Sequence, residues 1–239
     1  MQFEWSAVVF VVTRIFITDT SQKDLPKISP SPSKAMYIPA TNAMNDRDEI
    51  VDFMQRFSFA TIISTKDSVP TATHLPFVVE VRNDTIVLLS HFARANSHWK
   101  YLEGQTVLVI FSEPHAYIST EHYDKPQNVP TWNYVAVHAY GTVQLVEGYE
   151  PTVAILEKTI ENYEAAYGMQ WNGFPEEYKT RMTKGIVAFE LTVTDLQAKQ
   201  KLSQNRTDSE KKRIIESLAR SEDSNENCIA DYMQNMAGK

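Results

Sequence analysis

At 239 residues and 43% hydrophobic content, the chain can bury a core that needs no disulfide or metal staple. Its formal charge of -7 argues against broad, sequence-independent contact with nucleic acid, which draws on an excess of Lys and Arg. The single cysteine, Cys228, excludes an internal disulfide and any cysteine-based zinc cluster, and it fits a reducing, cytoplasmic setting.

The first apolar stretch, residues 3–17, is too short to cross a membrane. Its uninterrupted part covers residues 7–12 and Arg14 breaks the continuation, whereas a span takes roughly 20 residues. Glu4 stands where a signal peptide would be basic, and no small-x-small cleavage site comes after it. Residues 20–35 have the Ser, Pro and Lys content of a linker. Residues 1–35 therefore read as an extension and flexible linker outside the fold, with no membrane partner.

From Met36 the sequence reads as globular. Asn45 can cap a helix with Asp46, Asp48 and Glu49 in its first turn and Ile50, Phe53, Met54 and Phe57 on one face. Strands are predicted over 59–64, 69–79 and 85–91, separated by turn residues Lys66, Asp67 and Ser68 and then Arg82, Asn83 and Asp84. Links this short make antiparallel neighbours. A short helix over 96–102 precedes a buried strand over 106–111. Strands over 115–119 and 134–146 then extend a meander that can close into a barrel. Behind Pro151, the residues Val153, Leu156, Ile160, Tyr163 and Tyr167 recur at helical steps, giving a helix that packs on the barrel and stops at Gly168. A short helix ending near Gly185, a last strand over 186–193 and tail helices over 208–219 and 226–236 complete the chain.

Two of these strands carry polar groups that a plain core does not need. In the strand over 69–79, Thr71, Thr73, Leu75 and Phe77 share one face and His74 takes the other. Pro76 lacks a ladder donor, as at an edge or bulge beside a site. Thr73 and His74 are either ordinary strand residues with satisfied hydrogen bonds or contacts of a bound group. The strand over 85–91 breaks after His91 into a polar turn with Arg94 and Asn96, and Lys100 stands close behind. A cationic fork, small residues that free backbone N–H groups and a helix start suit a phosphate, with His91 and Asn96 completing its shell. The alternative is a solvated loop with Arg94 on a surface carboxylate.

Trp99 either walls a ring or belongs to the core. Val129-Pro-Thr-Trp-Asn-Tyr134 brings in Trp132 and Asn133, which either flank a planar heterocycle or pack the barrel end. Lys201-Leu-Ser-Gln-Asn-Arg206, with Gln204, Asn205 and Arg206, is either a linker or a second polar wall of a pocket. The histidine pairs His91/His98 and His115/His122 match no helical ligand spacing and no acid-histidine cluster, so no metal is expected. No Ser-His-Asp order, nucleophile elbow, Gly-x-Gly-x-x-Gly or P-loop is present, which removes hydrolase and NTPase readings.

Six ordered blocks carry a resemblance: Met36-Tyr-Ile-Pro39, Ala72-Thr-His-Leu-Pro-Phe77, His91-Phe-Ala-Arg-Ala-Asn96 with Trp99, Pro114-His-Ala-Tyr117, Val129-Pro-Thr-Trp-Asn-Tyr-Val-Ala-Val-His-Ala-Tyr-Gly141 and Lys201-Leu-Ser-Gln-Asn-Arg206. Together they resemble the PaiB-type family of FMN-binding negative transcriptional regulators, from about Met36 into the tail. The resemblance implies a mainly β (α+β) fold, an antiparallel split β-barrel of the pyridoxamine phosphate oxidase-like kind with peripheral helices. It implies a barrel domain over 36–206, a helical tail over 207–239, Met36 as the natural start, and a homodimer with FMN at the subunit interface.

Carried over by position, the Arg94 turn would face the FMN phosphate and Thr73 and His74 would lie near the flavin. Trp132, Asn133 and the block from Gln204 to Arg206 would line the pocket, in part from the other subunit. Two functions then compete. One is a flavoprotein oxidoreductase that takes a hydride from a reduced nicotinamide. The other is a regulator that binds cofactor or DNA, with the basic segment 199–213 as its nucleic-acid element. Haem ranks behind FMN: related barrels use it, and His74 can ligate iron.

Overall fold

The structure, a computed structural model, describes residues 36–237; the extension expected over 1–35 lies outside the described residues. Asp46, one residue beyond the expected cap, accepts from the backbone N–H groups of Asp48 and Glu49 and starts α1 (Arg47–Arg56). Two hairpins come next, β1 (Phe59–Lys66) with β2 (Val69–Pro76) and β3 (Val78–Arg82) with β4 (Thr85–Ala93). Their two-residue turns, Asp67 with Ser68 and Asn83 with Asp84, hold positive φ at both positions, which matches the twist of the flanking strands.

The strand expected over 69–79 is therefore two strands. Pro76 has no N–H to continue the ladder, and the next N–H, on Phe77, donates to the Ser58 carbonyl instead. That break sends the hairpins to opposite ends of one antiparallel sheet, in the order β2-β1-β5-β7-β8-β4-β3. Here β5 is Thr106–Phe111, β7 is Thr131–Leu145 and β8 is Ile186–Lys201, while β6 (His115–Ile118) pairs with the start of β7. The sheet curls into a split barrel that is not closed, and it is not a simple meander, because β1 pairs with β5 and β4 with β8.

The strand β8 runs well past the expected end at Val193. Leu196, Ala198 and Leu202 continue on the core side while Gln197, Lys199 and Lys201 alternate outward, so half of this stretch reads as polar. Its partner β7 shifts register between Tyr140 and Gly141. A Cβ on Gly141 would lie 2.3 Å from the Leu191 Cδ2 and 2.4 Å from the Thr192 carbonyl oxygen, so only glycine lets the strands meet at this bulge.

The helix expected to reach Gly168 ends earlier: α2 is Tyr149–Glu164 and α3 is Tyr167–Asn172, followed by α4 (Glu176–Lys184). The inner sheet face packs Ile62, Leu88, Phe92, Val109, Phe111, Val137 and Leu191 against Phe53 and Met54 of α1. Ile214 of α5 (Asp208–Leu218) and Ile229 of α6 (Ser224–Ala237) belong to the same core, so the tail helices complete the barrel's interior. A capping box between Thr207 and Glu210 starts α5.

The outer face divides in two. Against β3, β4 and the start of β8, Ile155 of α2 packs on Val78, Val87, Leu89 and Ala188. Across β2, β1, β5 and the paired far halves of β7 and β8, no described helix covers the sheet. Register there aligns His74, Thr61, Ile110, His138 and Gln197 in one row, flanked by exposed Phe59 and half-buried Ile63 and Leu108.

Candidate flavin site

Where β2 passes the turn after β4, four polar side chains interlock. Asn96 caps the 3-10 helix Ser97–Tyr101: its Oδ1 accepts from the His98 backbone N–H at 3.0 Å, which fixes the amide so that Nδ2 donates to the Thr73 Oγ1 at 3.2 Å. The ring of His98 bridges two hydroxyls, with Nδ1 2.8 Å from the Thr73 Oγ1 and Nε2 2.8 Å from the Ser64 Oγ. His98 is 1% exposed and sits edge-on to Phe92, and burial lowers its pKa, so the ring is neutral near pH 7. Thr73 is half-buried and Lys100 is exposed beyond the short helix. In the sequence, His98 stands out only by its spacing from His91; its position two residues behind a capping Asn is the signal for this role.

The other expected site residues divide between this corner and the rest of the molecule. The Arg94 guanidinium does not point into the clasp. Its Nε donates to the Lys184 carbonyl and its Nη2 to the Ile186 carbonyl, both at 2.7 Å, tying the end of β4 to the start of β8. The fork expected on a phosphate thus satisfies two backbone carbonyls, one ending α4 and one opening β8. Trp99 donates its Nε1–H to the Arg94 carbonyl and packs partly on the core, and with Arg94 it lines a separate cavity of about 460 Å³ beside Tyr149 and Thr152. His91 is half-buried opposite Ala188, with its pKa lowered by burial. His74 is exposed on the outer face, its ring stacked on Phe59 at 6.5 Å.

At the far end of the barrel, Trp132 is half-exposed against His115 and Tyr117. Asn133 is fully buried and faces inward: its Oδ1 accepts from the Ser203 hydroxyl and its Nδ2 donates to the Met233 Sδ, which pins α6 to β7. Gln204 closes a local turn through the Leu202 N–H and the Gln200 carbonyl, and Asn205 is exposed. Arg206 lies 3.6 Å over the Tyr123 ring and donates to Asn128.

The basic segment 199–213 is similarly occupied. Lys199 donates to the Tyr37 carbonyl and Lys201 to the Thr131 hydroxyl, while Lys211 pairs with Asp208, Lys212 with Glu216 and Arg213 with Asp124. Among the described residues no cluster of His, Cys, Asp and Glu could hold a metal ion, and no helix is long and apolar enough to cross a membrane.

The residues present fit a flavin mononucleotide. Thr73, Asn96, the start of a short helix and Lys100 offer the hydroxyl, amide, N–H and cationic groups that a phosphate takes. The neighbouring outer face offers the flat rings of Phe59 and His74 for a planar heterocycle.

Comparison with known proteins gives the same assignment. Residues 36–195 match the family described as "Putative FMN-binding domain". The chain is 38% identical over 207 residues to "Protease synthase and sporulation protein PAI 2" of Bacillus subtilis, covering 85% of this chain and 99% of that protein. An uncharacterized protein of Emericella nidulans is 28% identical over 202 residues, 68% of this chain and 80% of its own. Two solved structures share the fold with a TM-score of 0.53 over 66% of this chain: an FAD and haem binding protein from Mycobacterium smegmatis, 13% identical with 73% of its chain covered, and the flavocytochrome Anf3 from Azotobacter vinelandii, 16% identical with 69% covered.

Proposed function

This chain belongs to the FMN-binding split-barrel family, and we propose that it is a homodimeric, cytoplasmic regulator whose FMN lies between the clasp of Thr73 and Asn96 and the uncovered sheet face. The observation that carries this reading is a pair of adjacent residues on one edge strand. Thr73 of β2 enters the clasp and His74 of β2 faces the open sheet, so one short segment addresses both a phosphate and a ring. The open face supports the dimer. It exposes Phe59, holds Ile63, Leu108 and Ile110 half-buried, and leaves the His138 Nδ1 buried with no hydrogen-bond partner among the described residues. A second copy packed by twofold symmetry would cover such a patch.

In this arrangement Thr73, Asn96 and Lys100 hold the phosphate, Phe59 and His74 flank the ring system, and Trp132 and the block from Gln204 to Arg206 wall the pocket from the second protomer. Arg94 acts at one remove, by holding the turn in place. Bound FMN supplies hydride and single-electron chemistry that no side chain here provides. The regulatory reading is supported by the Bacillus relative's name, which links it to sporulation. Direct promoter contact through residues 199–213 is not supported, because the cations of that segment have partners inside the fold.

The test is a visible absorption spectrum of the purified chain, titrated with FMN and then with haem and followed through gel filtration. A flavin spectrum that travels with a dimer-sized peak is expected. Haem uptake with no flavin uptake would replace this reading, and rapid oxidation of a reduced nicotinamide by the flavin-loaded protein would favour the oxidoreductase.

A further inference from the structure

The clasp has a direction. The His98 imidazole is neutral, so one ring nitrogen carries a proton and the other accepts. Two arrangements satisfy both contacts. In the first, Nδ1–H donates to the Thr73 Oγ1 and the Ser64 hydroxyl donates to Nε2. In the second, all three protons are reversed: Thr73 donates to Nδ1 and Nε2–H donates to Ser64.

The buried end of the chain chooses between them. Ser64 is 4% exposed, and among the described residues its hydroxyl has His98 as its one hydrogen-bond partner. In the second arrangement its O–H would be a buried donor with no acceptor, and a donor left unsatisfied away from water is costlier than spare acceptor capacity. In the first arrangement that proton is used. Thr73 then accepts from His98 and from Asn96 Nδ2, so both of its acceptor positions are filled and its own proton is free to point out of the clasp.

We infer that His98 is a positioning residue: held by Ser64 in its Nδ1-protonated tautomer, it makes Thr73 a dedicated outward donor, and so sets the clasp to bind an anion in preference to a neutral hydroxyl, which accepts the same bond more weakly. This rests on the reading that the clasp holds the FMN phosphate, and it adds how the phosphate is told from its absence. The specificity is for the phosphorylated flavin over riboflavin, and it is set in the empty site before any ligand arrives. Reversal of the three protons would turn the same heavy atoms into a site that presents a lone pair.

Two measurements test this on the full chain. The first is nitrogen-15 NMR of the flavin-free protein, labelled at histidine, at neutral pH. A protonated Nδ1 on His98 is expected, whereas a protonated Nε2 would overturn the inference whatever the protein binds. The second compares FMN with riboflavin as ligands. Thr73→Val keeps the shape but removes the proton, and it should cut the preference for FMN by about ten- to a hundredfold, the range expected for one hydrogen bond to a charged group. Thr73→Ser should retain the preference, which guards against a general packing defect in the valine variant. A valine variant that keeps the full preference would overturn the inference, whereas wild-type protein that binds the two flavins equally would instead remove the phosphate from the clasp.

Discussion

The two halves of the outer sheet face share the long strand β8, yet they are finished differently. On the α2 side the apolar residues Val78, Val87, Leu89 and Ala188 meet Ile155, and an ion network closes the rim: Arg82 joins Glu80 and Glu190, and Lys158 of α2 reaches Glu80. The Tyr163 hydroxyl adds a bond to the Phe77 carbonyl at 2.9 Å. On the open side the apolar residues stand among Thr61, His74 and His138, with no described helix laid over them. Charge appears at the edge, where Lys199 sits between the rings of Tyr37 and Tyr134. A chain can complete a sheet face with its own helix or leave it for a second copy; here α2 completes one half, and the other is the face that the proposed dimer would cover.

The difference can be broken most severely at the joint between the halves. Gly141→Ala should cost at least about 4 kcal/mol, because the new methyl meets a backbone carbonyl that cannot turn aside. Thermal unfolding of the variant would read this, and a melting temperature near that of wild type would mean that β7 and β8 do not meet as described. Within the covered half, Leu89→Ala deletes a fully buried side chain and should cost about 2 to 5 kcal/mol in urea unfolding.

The same kind of change on the open half should behave otherwise. Ile110→Asp should move the protein from dimer to monomer in light scattering while altering the stability of the dilute protomer by about 1 kcal/mol or less. A variant that stays dimeric would place the interface elsewhere. The smallest effect belongs to the ion network. Burial alone would raise the Glu80 carboxyl, but hydrogen bonds from Lys158 and Arg82 outweigh it and hold its pKa below the usual value. A carboxylate depressed in the folded state stabilises the fold above its unfolded pKa and loses that contribution as pH falls through the folded one. Wild type should therefore lose its advantage over Glu80→Gln, about 1 kcal/mol or less at neutral pH, on acidification through that window. Parallel stability curves would show that the network contributes nothing.

Much of this was legible in the chain, and the losses have identifiable causes. Alternation located β1, β4 and β5, and the turn residues located both hairpins, because side-chain periodicity and positive φ are local properties. The break at Phe77 was half visible in Pro76. The second half of β8 does not read as a strand, because its outward face carries Asp195, Gln197 and Lys199, the composition of a loop. In the clasp, Thr73 and Asn96 could be read from strand parity and capping preference. The bridge by His98 depends on bringing β1, β2 and the short helix together, which no local pattern encodes. Arg94 shows the converse. Its charge suggests an anion, but its guanidinium donates to the Lys184 and Ile186 carbonyls, which a cationic fork serves equally well.

The bulge at Gly141 also has a mechanical meaning. Both β7 and β8 run unbroken through it, so the sheet resembles two panels joined along a crease by a pair of continuous ribs. Ribs of that kind transmit torque: tilting the panel that carries the open face obliges the panel under α2 to answer, through main chain alone and with no flexible linker between them.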